Sequence, residues 1–272
     1  MSKRKPIVPA SAEDGGDDAA YKDRLRAEGW QFSSDCAPPA VAPTPCVDLV
    51  GAVCQSGSLA LPQVLSALNS GGCDPAVAVQ ACGAIALLAE KDAGRAAALA
   101  QGSMAAIKAV VEQHGGAHPE VASSSCAAVA NLALNDGTTV ILPQGGLDVV
   151  LNAMITWPSD PAVQSKGCLA LGNIGFSSEG ETMVLARGGV TALATALRTN
   201  ITNAAVVEEA SDAIANLVAS PVGRKVLSDF WAAQGVGMQG LVDTLEYAGG
   251  LHPGCSSVRE CLDAVRGNPM SD

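Results

Sequence analysis

Between residues 75 and 223, apolar and small side chains return to the same places in successive stretches of chain. The stretches open at Asp74-Pro75, His118-Pro119, Asp160-Pro161 and Asn203-Ala204, and a fifth mark, His252-Pro253, follows; the second members are 44, 42, 43 and 49 residues apart. Two residues past the first four marks stand Val77, Val121, Val163 and Val206; ten past, Ile85, Val129, Leu171 and Ile214; thirteen past, Leu88, Leu132, Ile174 and Leu217. With the small residues Ala81, Ser125, Gly167 and Ala210 six past, these positions make one stripe of helical period, which predicts a long helix from each mark. Proline suits a first helical turn because its missing N–H has no partner there.

A second pattern lies between these helices: Gln101-Gly102-Ser103, Gln144-Gly145-Gly146, Arg187-Gly188-Gly189 and Gln234-Gly235-Val236, each between two short apolar segments. Glycine permits the positive φ of a sharp corner between helices. The unit read from the chain is therefore short helix, glycine corner, helix, loop, long helix, in the period range of armadillo and HEAT arrays.

Ala128-Val-Ala-Asn-Leu-Ala, Ala170-Leu-Gly-Asn-Ile-Gly and Ala213-Ile-Ala-Asn-Leu-Val resemble the third-helix signature of the armadillo family, and Gln144-Gly-Gly-Leu and Arg187-Gly-Gly-Val resemble its corner. The resemblance implies an all-α, right-handed superhelical solenoid of about five three-helix repeats over 46–266, with an irregular N-terminal tail over 1–45 and a short C-terminal tail over 267–272. The units fall at 46–90, 91–134, 135–176, 177–220 and 221–266. In the last, Cys261 is out of register with its Pro253, and Arg259, Glu260, Asp263 and Arg266 give it the polar surface of a capping repeat.

On the third helices, the positions away from the apolar stripe are Glu120, Ser124, Ala127 and Asn131; Ala162, Lys166, Leu169 and Asn173; Ala205, Glu209, Asp212 and Asn216. Asparagine inside a helix costs about 0.5 kcal/mol against alanine, so three in register suggest a hydrogen-bonding task. The family resemblance implies that this residue lines the concave surface and clamps an extended peptide's backbone, with Ser124, Lys166, Glu209 and Asp212 beside it. An alternative role is that each amide braces the neighbouring repeat. Importin-type members carry a tryptophan four residues before that asparagine, where this chain has Ala127, Leu169 and Asp212.

Composition narrows the partner. The net charge of −11 and the 3% aromatic content argue against nucleic acid, which needs phosphate-neutralising cations or stacking rings. No run approaches the 18 apolar residues of a membrane span, and the acidic residues after Met1-Ser-Lys-Arg-Lys-Pro spoil a leader peptide. The expected location is cytoplasmic, with a nucleus or a cytoskeletal or ciliary assembly as alternatives. Nine cysteines without a CxxC pair suggest reduced thiols, with Cys82, Cys126 and Cys168 as small core residues. In the tail, Lys3-Arg4-Lys5 reads as solvated charge ahead of a nuclear-localisation signal, and a short helix is expected over 19–28. Tyr21, Trp30 and Phe32, set in a polar segment, are candidate anchors on a groove.

No catalytic or metal site emerges. Gly235-Val-Gly-Met-Gln-Gly240 matches a dinucleotide fingerprint but sits at a helix corner rather than after a strand. His114, His118 and His252 read as solvated loop residues, His252-x2-Cys255-x5-Cys261 lacks a fourth ligand, and Asn200-Ile-Thr202 is a sequon without a secretory context. The expectation is a non-catalytic scaffold or structural subunit without cofactor, metal or small-molecule substrate. Its partners would be extended protein segments or neighbouring subunits; an exchangeable peptide adaptor of transport or signalling type is the alternative, and an enzyme with a site that no motif displays is the third reading.

Overall fold

The computed structural model describes residues 48–69 and 73–267, so the tail with Tyr21, Trp30 and Phe32 lies outside the described residues. The first unit contains α1 (Leu49–Ser56), a 3-10 turn (Gly57–Ala60), α2 (Leu61–Asn69) and α3 (Pro75–Ala89). The second contains α4 (Asp92–Ala100), α5 (Ser103–Val110), a π turn (Val111–Gly115) and α6 (Pro119–Leu132). The third contains α7 (Gly137–Ile141), α8 (Gly146–Thr156) and α9 (Pro161–Ile174). The fourth contains α10 (Ser178–Ala186), α11 (Gly189–Thr199) and α12 (Ala204–Val218). The fifth contains α13 (Pro221–Ala233), α14 (Gly237–Leu251) and α15 (Ser256–Arg266).

The long helices stack in order, α3 on α6, α6 on α9, α9 on α12 and α12 on α15, and form one layer of the solenoid. Their starts are set by the residues the sequence marks. Asp74 accepts from the Ala76 N–H, Asp160 from Ala162 and Val163, and Asn203 from Val206. At the corners Gly102, Gly145 and Gly188 take φ of 79°, 83° and 86°, where any Cβ is strained.

A second glycine series closes the opposite turn. Gly94, Gly137, Gly180 and Gly223 begin the first helices against the last turn of the preceding third helix. A Cβ there would stand 2.1, 1.8, 1.8 and 2.0 Å from the carbonyl oxygens of Leu88, Leu132, Ile174 and Leu217.

Three expectations change. First, Leu49–Asn69 runs as 21 residues of helical backbone with a mean hydropathy of 1.2, long and apolar enough by those measures to cross a membrane. Its 3-10 turn breaks it into two pieces, and Leu49, Leu61, Val64 and Leu68 are buried in the solenoid core. Second, α15 starts at Ser256 rather than at Pro253, which lies in the turn. Third, the third-helix faces are more buried than the stripe alone requires, because each helix is flanked by its neighbours in the layer: Ser124 is 2% exposed, Leu169 7%, and the three asparagines 5% or less.

Cys82, Cys126 and Cys168 lie in the core as free thiols, fully buried. Burial pushes Cys82 up to about 11 despite its contact with the Ser125 hydroxyl, and pushes Cys126 up to about 12. It raises Cys168 well above the usual thiol range, the Glu209 carboxylate adding to the effect. Such thiols stay protonated and unreactive at neutral pH.

Candidate functional site

The asparagine ladder divides. The Asn131 Nδ2 donates to the Ala86 carbonyl on α3 at 2.9 Å, and the Asn173 Nδ2 donates to the Ala130 carbonyl on α6 at 3.0 Å. These two amides brace successive third helices. Asn216, 1% exposed, has no hydrogen-bond partner for either its Nδ2 or its Oδ1. The Ser124 hydroxyl donates to the Val121 carbonyl within its own helix.

A bracing consequence can be measured. Asn173→Ala should lower stability by about 1–3 kcal/mol, since a buried hydrogen bond is lost, whereas Asn216→Ala should leave the melting temperature unchanged or higher, because alanine is the better helix former and no bond is lost. Thermal melts of the two variants beside the parent check this.

A second ladder runs along the loops before the third helices. Nε2 of His114 donates to the Cys73 carbonyl at 2.8 Å, Nε1 of Trp157 to Gly115 at 2.8 Å, Nδ2 of Asn200 to Pro158 at 3.0 Å and Nε2 of His252 to Ile201 at 2.9 Å. His114 and His252 are therefore loop-to-loop ties rather than solvated residues. Each loop offers its preceding neighbour one donor for a carbonyl that secondary structure leaves unpaired. Asn200 is 6% exposed and spends its amide here, so the sequon is a structural residue. The Gly235–Gly240 segment forms the α13–α14 corner: Gly235 has φ 79°, and a Cβ on Gly240 would meet Val236 and Trp231.

The His252–Ile201 tie spans 51 residues, and the buried residues Val258, Cys261 and Ala264 stand 51 after Val207, Ala210 and Ala213, so α15 repeats α12 at that spacing. On this register, the third-helix face that the core leaves partly open changes character along the solenoid. Its first row runs Gln80, Ser124, Lys166, Glu209, Glu260, and its second Gly83, Ala127, Leu169, Asp212, Asp263. Along these rows the first three repeats carry small or neutral groups with one lysine; the last two carry four carboxylates, of which Glu209, Asp212 and Glu260 take part in interactions within the chain.

An open cavity of about 610 Å³ lies between α5 and the Leu142–Gly145 corner, lined by Lys108 and Arg187 of one sign and Glu112 and Asp148 of the other. Arg187 pairs with Asp148, so the rim is largely self-neutralised. Among the described residues, no group of three or more His, Cys, Asp or Glu side chains could hold a metal ion.

The architecture is that of armadillo-repeat solenoids. An engineered protein superposes with a TM-score of 0.63 at 23% identity, covering 81% of this chain and 88% of its own. A computationally designed armadillo repeat protein for modular peptide recognition gives 0.62 at 19%, covering 81% and 86%. A designed armadillo repeat protein in complex with the peptide (KR)4 gives 0.60 at 17%, covering 78% and 85%. No family model and no curated protein matches the sequence. At these identities the likeness is one of fold: an all-α armadillo-type solenoid.

Proposed function

We propose that the chain is a non-catalytic protein-binding scaffold, a structural subunit of a larger assembly that holds partner segments along the third-helix face. The observation that carries this reading is the unbroken layer α3, α6, α9, α12, α15, which offers an elongated surface floored by small residues such as Gly83, Ala127 and Ala162. A solenoid presents more such surface per residue than a compact domain, which suits polypeptide partners better than small molecules. Two of the structurally similar designed proteins are described by peptide recognition or a bound peptide, which agrees with this reading.

The test is a pair of bulky substitutions on the face, Ala127→Arg with Ala162→Arg, against Thr195→Arg on the exposed side of α11. The face variant should lose stoichiometric protein partners in affinity purification while its melting temperature stays near the parent's. The α11 variant should retain them. Partner recovery unchanged in the face variant would overturn the reading.

A further inference from the structure

We infer that the fifth repeat opens away from α12 as one body under native conditions, while the first four repeats stay closed. This goes beyond the scaffold reading and stands whether or not the third-helix face holds a partner.

The joints between successive third helices are not alike. Asn131 and Asn173 donate across the α3–α6 and α6–α9 joints. Asn216 makes no such bond at the α9–α12 joint, and the place 51 residues on, at the α12–α15 joint, is Gly267, which has no side chain to offer. A second pair shows the same loss. The Cys82 Sγ and the Ser125 Oγ meet at 3.4 Å across the α3–α6 joint. The register puts Ser211 and Cys261 in their places on α12 and α15; both are 0% exposed, and the Ser211 hydroxyl has no hydrogen-bond partner. A buried hydroxyl without a partner forfeits its hydration, which water restores when the joint opens.

Inside the fifth repeat the ties are made. Arg224 on α13 donates from Nη1 to the Val265 carbonyl at 2.9 Å and from Nη2 to the Ala264 carbonyl at 2.7 Å, which fixes α13 to the end of α15. Arg266 pairs with Glu246, which fixes α15 to α14. A Cβ on Gly240 would stand 3.3 Å from the Trp231 ring, so α14 lies close on α13. A body tied within itself and orphaned at its joint parts at the joint, and opens as one cooperative unit. Ala219 and Ser220, the latter bonded to Glu181, lie between α12 and α13 as the pivot, and the loop tie from His252 to Ile201 is given up. Opening bares Val258 and Cys261, which are 1% and 0% exposed in the closed form.

Cys261 reports the opening in the full chain. Short pulses of iodoacetamide, followed by digestion and mass spectrometry of the peptides, give a modification rate for each cysteine, normalised to its rate in the denatured chain. Cys261 is expected to react about tenfold faster than Cys126 or more, since α6 is braced on both sides. Ser211→Ala, which removes the orphaned hydroxyl, should slow Cys261 by about fivefold or more and leave Cys126 unchanged. Ser125→Ala, which removes a hydroxyl that has a partner, should slow neither. Hydrogen exchange at low urea separates a body from a frayed end: amides of α13, α14 and α15 should share one opening free energy, below that of α6 and α9. Equal rates for Cys261 and Cys126, or no slowing in Ser211→Ala, would overturn the inference. Fast exchange confined to α15, with α13 and α14 as protected as α9, would overturn it as well.

Discussion

Gly137→Ala is expected to destabilise the solenoid by about 3 kcal/mol or more. The added methyl would sit 1.8 Å from the Leu132 carbonyl oxygen, a contact with backbone rather than with a movable side-chain end. Relief requires α7 to move away from the last turn of α6, which loosens the joint on which the next unit is built. The comparison that isolates sterics from glycine's flexibility is Gly116→Ala. Gly116 has φ −79° and nothing within 4 Å of its would-be Cβ, so alanine there should stabilise by about 0.4–1 kcal/mol by restricting the unfolded chain. Chemical denaturation of both variants checks the opposite signs.

Leu132→Ala comes second, with an expected loss of about 2–5 kcal/mol. Leu132 is 0% exposed and ends α6 in the core layer, with the third helices of the second repeat's neighbours on either side. Truncation removes apolar contact and leaves a cavity that a repeat fixed by the glycine joints, the asparagine braces and the loop ties has little freedom to close. Ala127→Ser, on the half-buried face of the same helix, should stay within about 0.5 kcal/mol, since Ala127 sits at the partly exposed edge of the core and the exchange removes no side-chain volume. Equal melting shifts for the two would contradict the register assigned to α6.

Much of this architecture was legible in the chain because its causes are local. A proline or alanine after Asp74, Asp160 or Asn203 declares a helix start through capping, and Gly102, Gly145 and Gly188 declare corners through positive φ. The series Gly94, Gly137, Gly180, Gly223 was equally regular, at steps of 43, but its reason is a close approach between helices that no local pattern displays. The loop ladder was harder to find, since its donors are chemically unlike: histidine, tryptophan, asparagine and histidine share a reach and a direction rather than a residue type. At the end of the chain Pro253 drew the expected helix start too early, because an X-Pro pair marks a turn as readily as a first helical turn. The periodicity located the asparagines but could not distribute their hydrogen bonds, which run between neighbouring third helices.

On the proposed reading, other polypeptides lie on the third-helix face. A photo-reactive amino acid placed at position 127 on α6, at 162 on α9 or at 195 on α11, in the otherwise unchanged full chain, reports which face they touch. Illumination in cells producing the protein is expected to give covalent adducts with polypeptide partners from positions 127 and 162, at yields well above those from 195. Adducts arising from position 195 alone would contradict it.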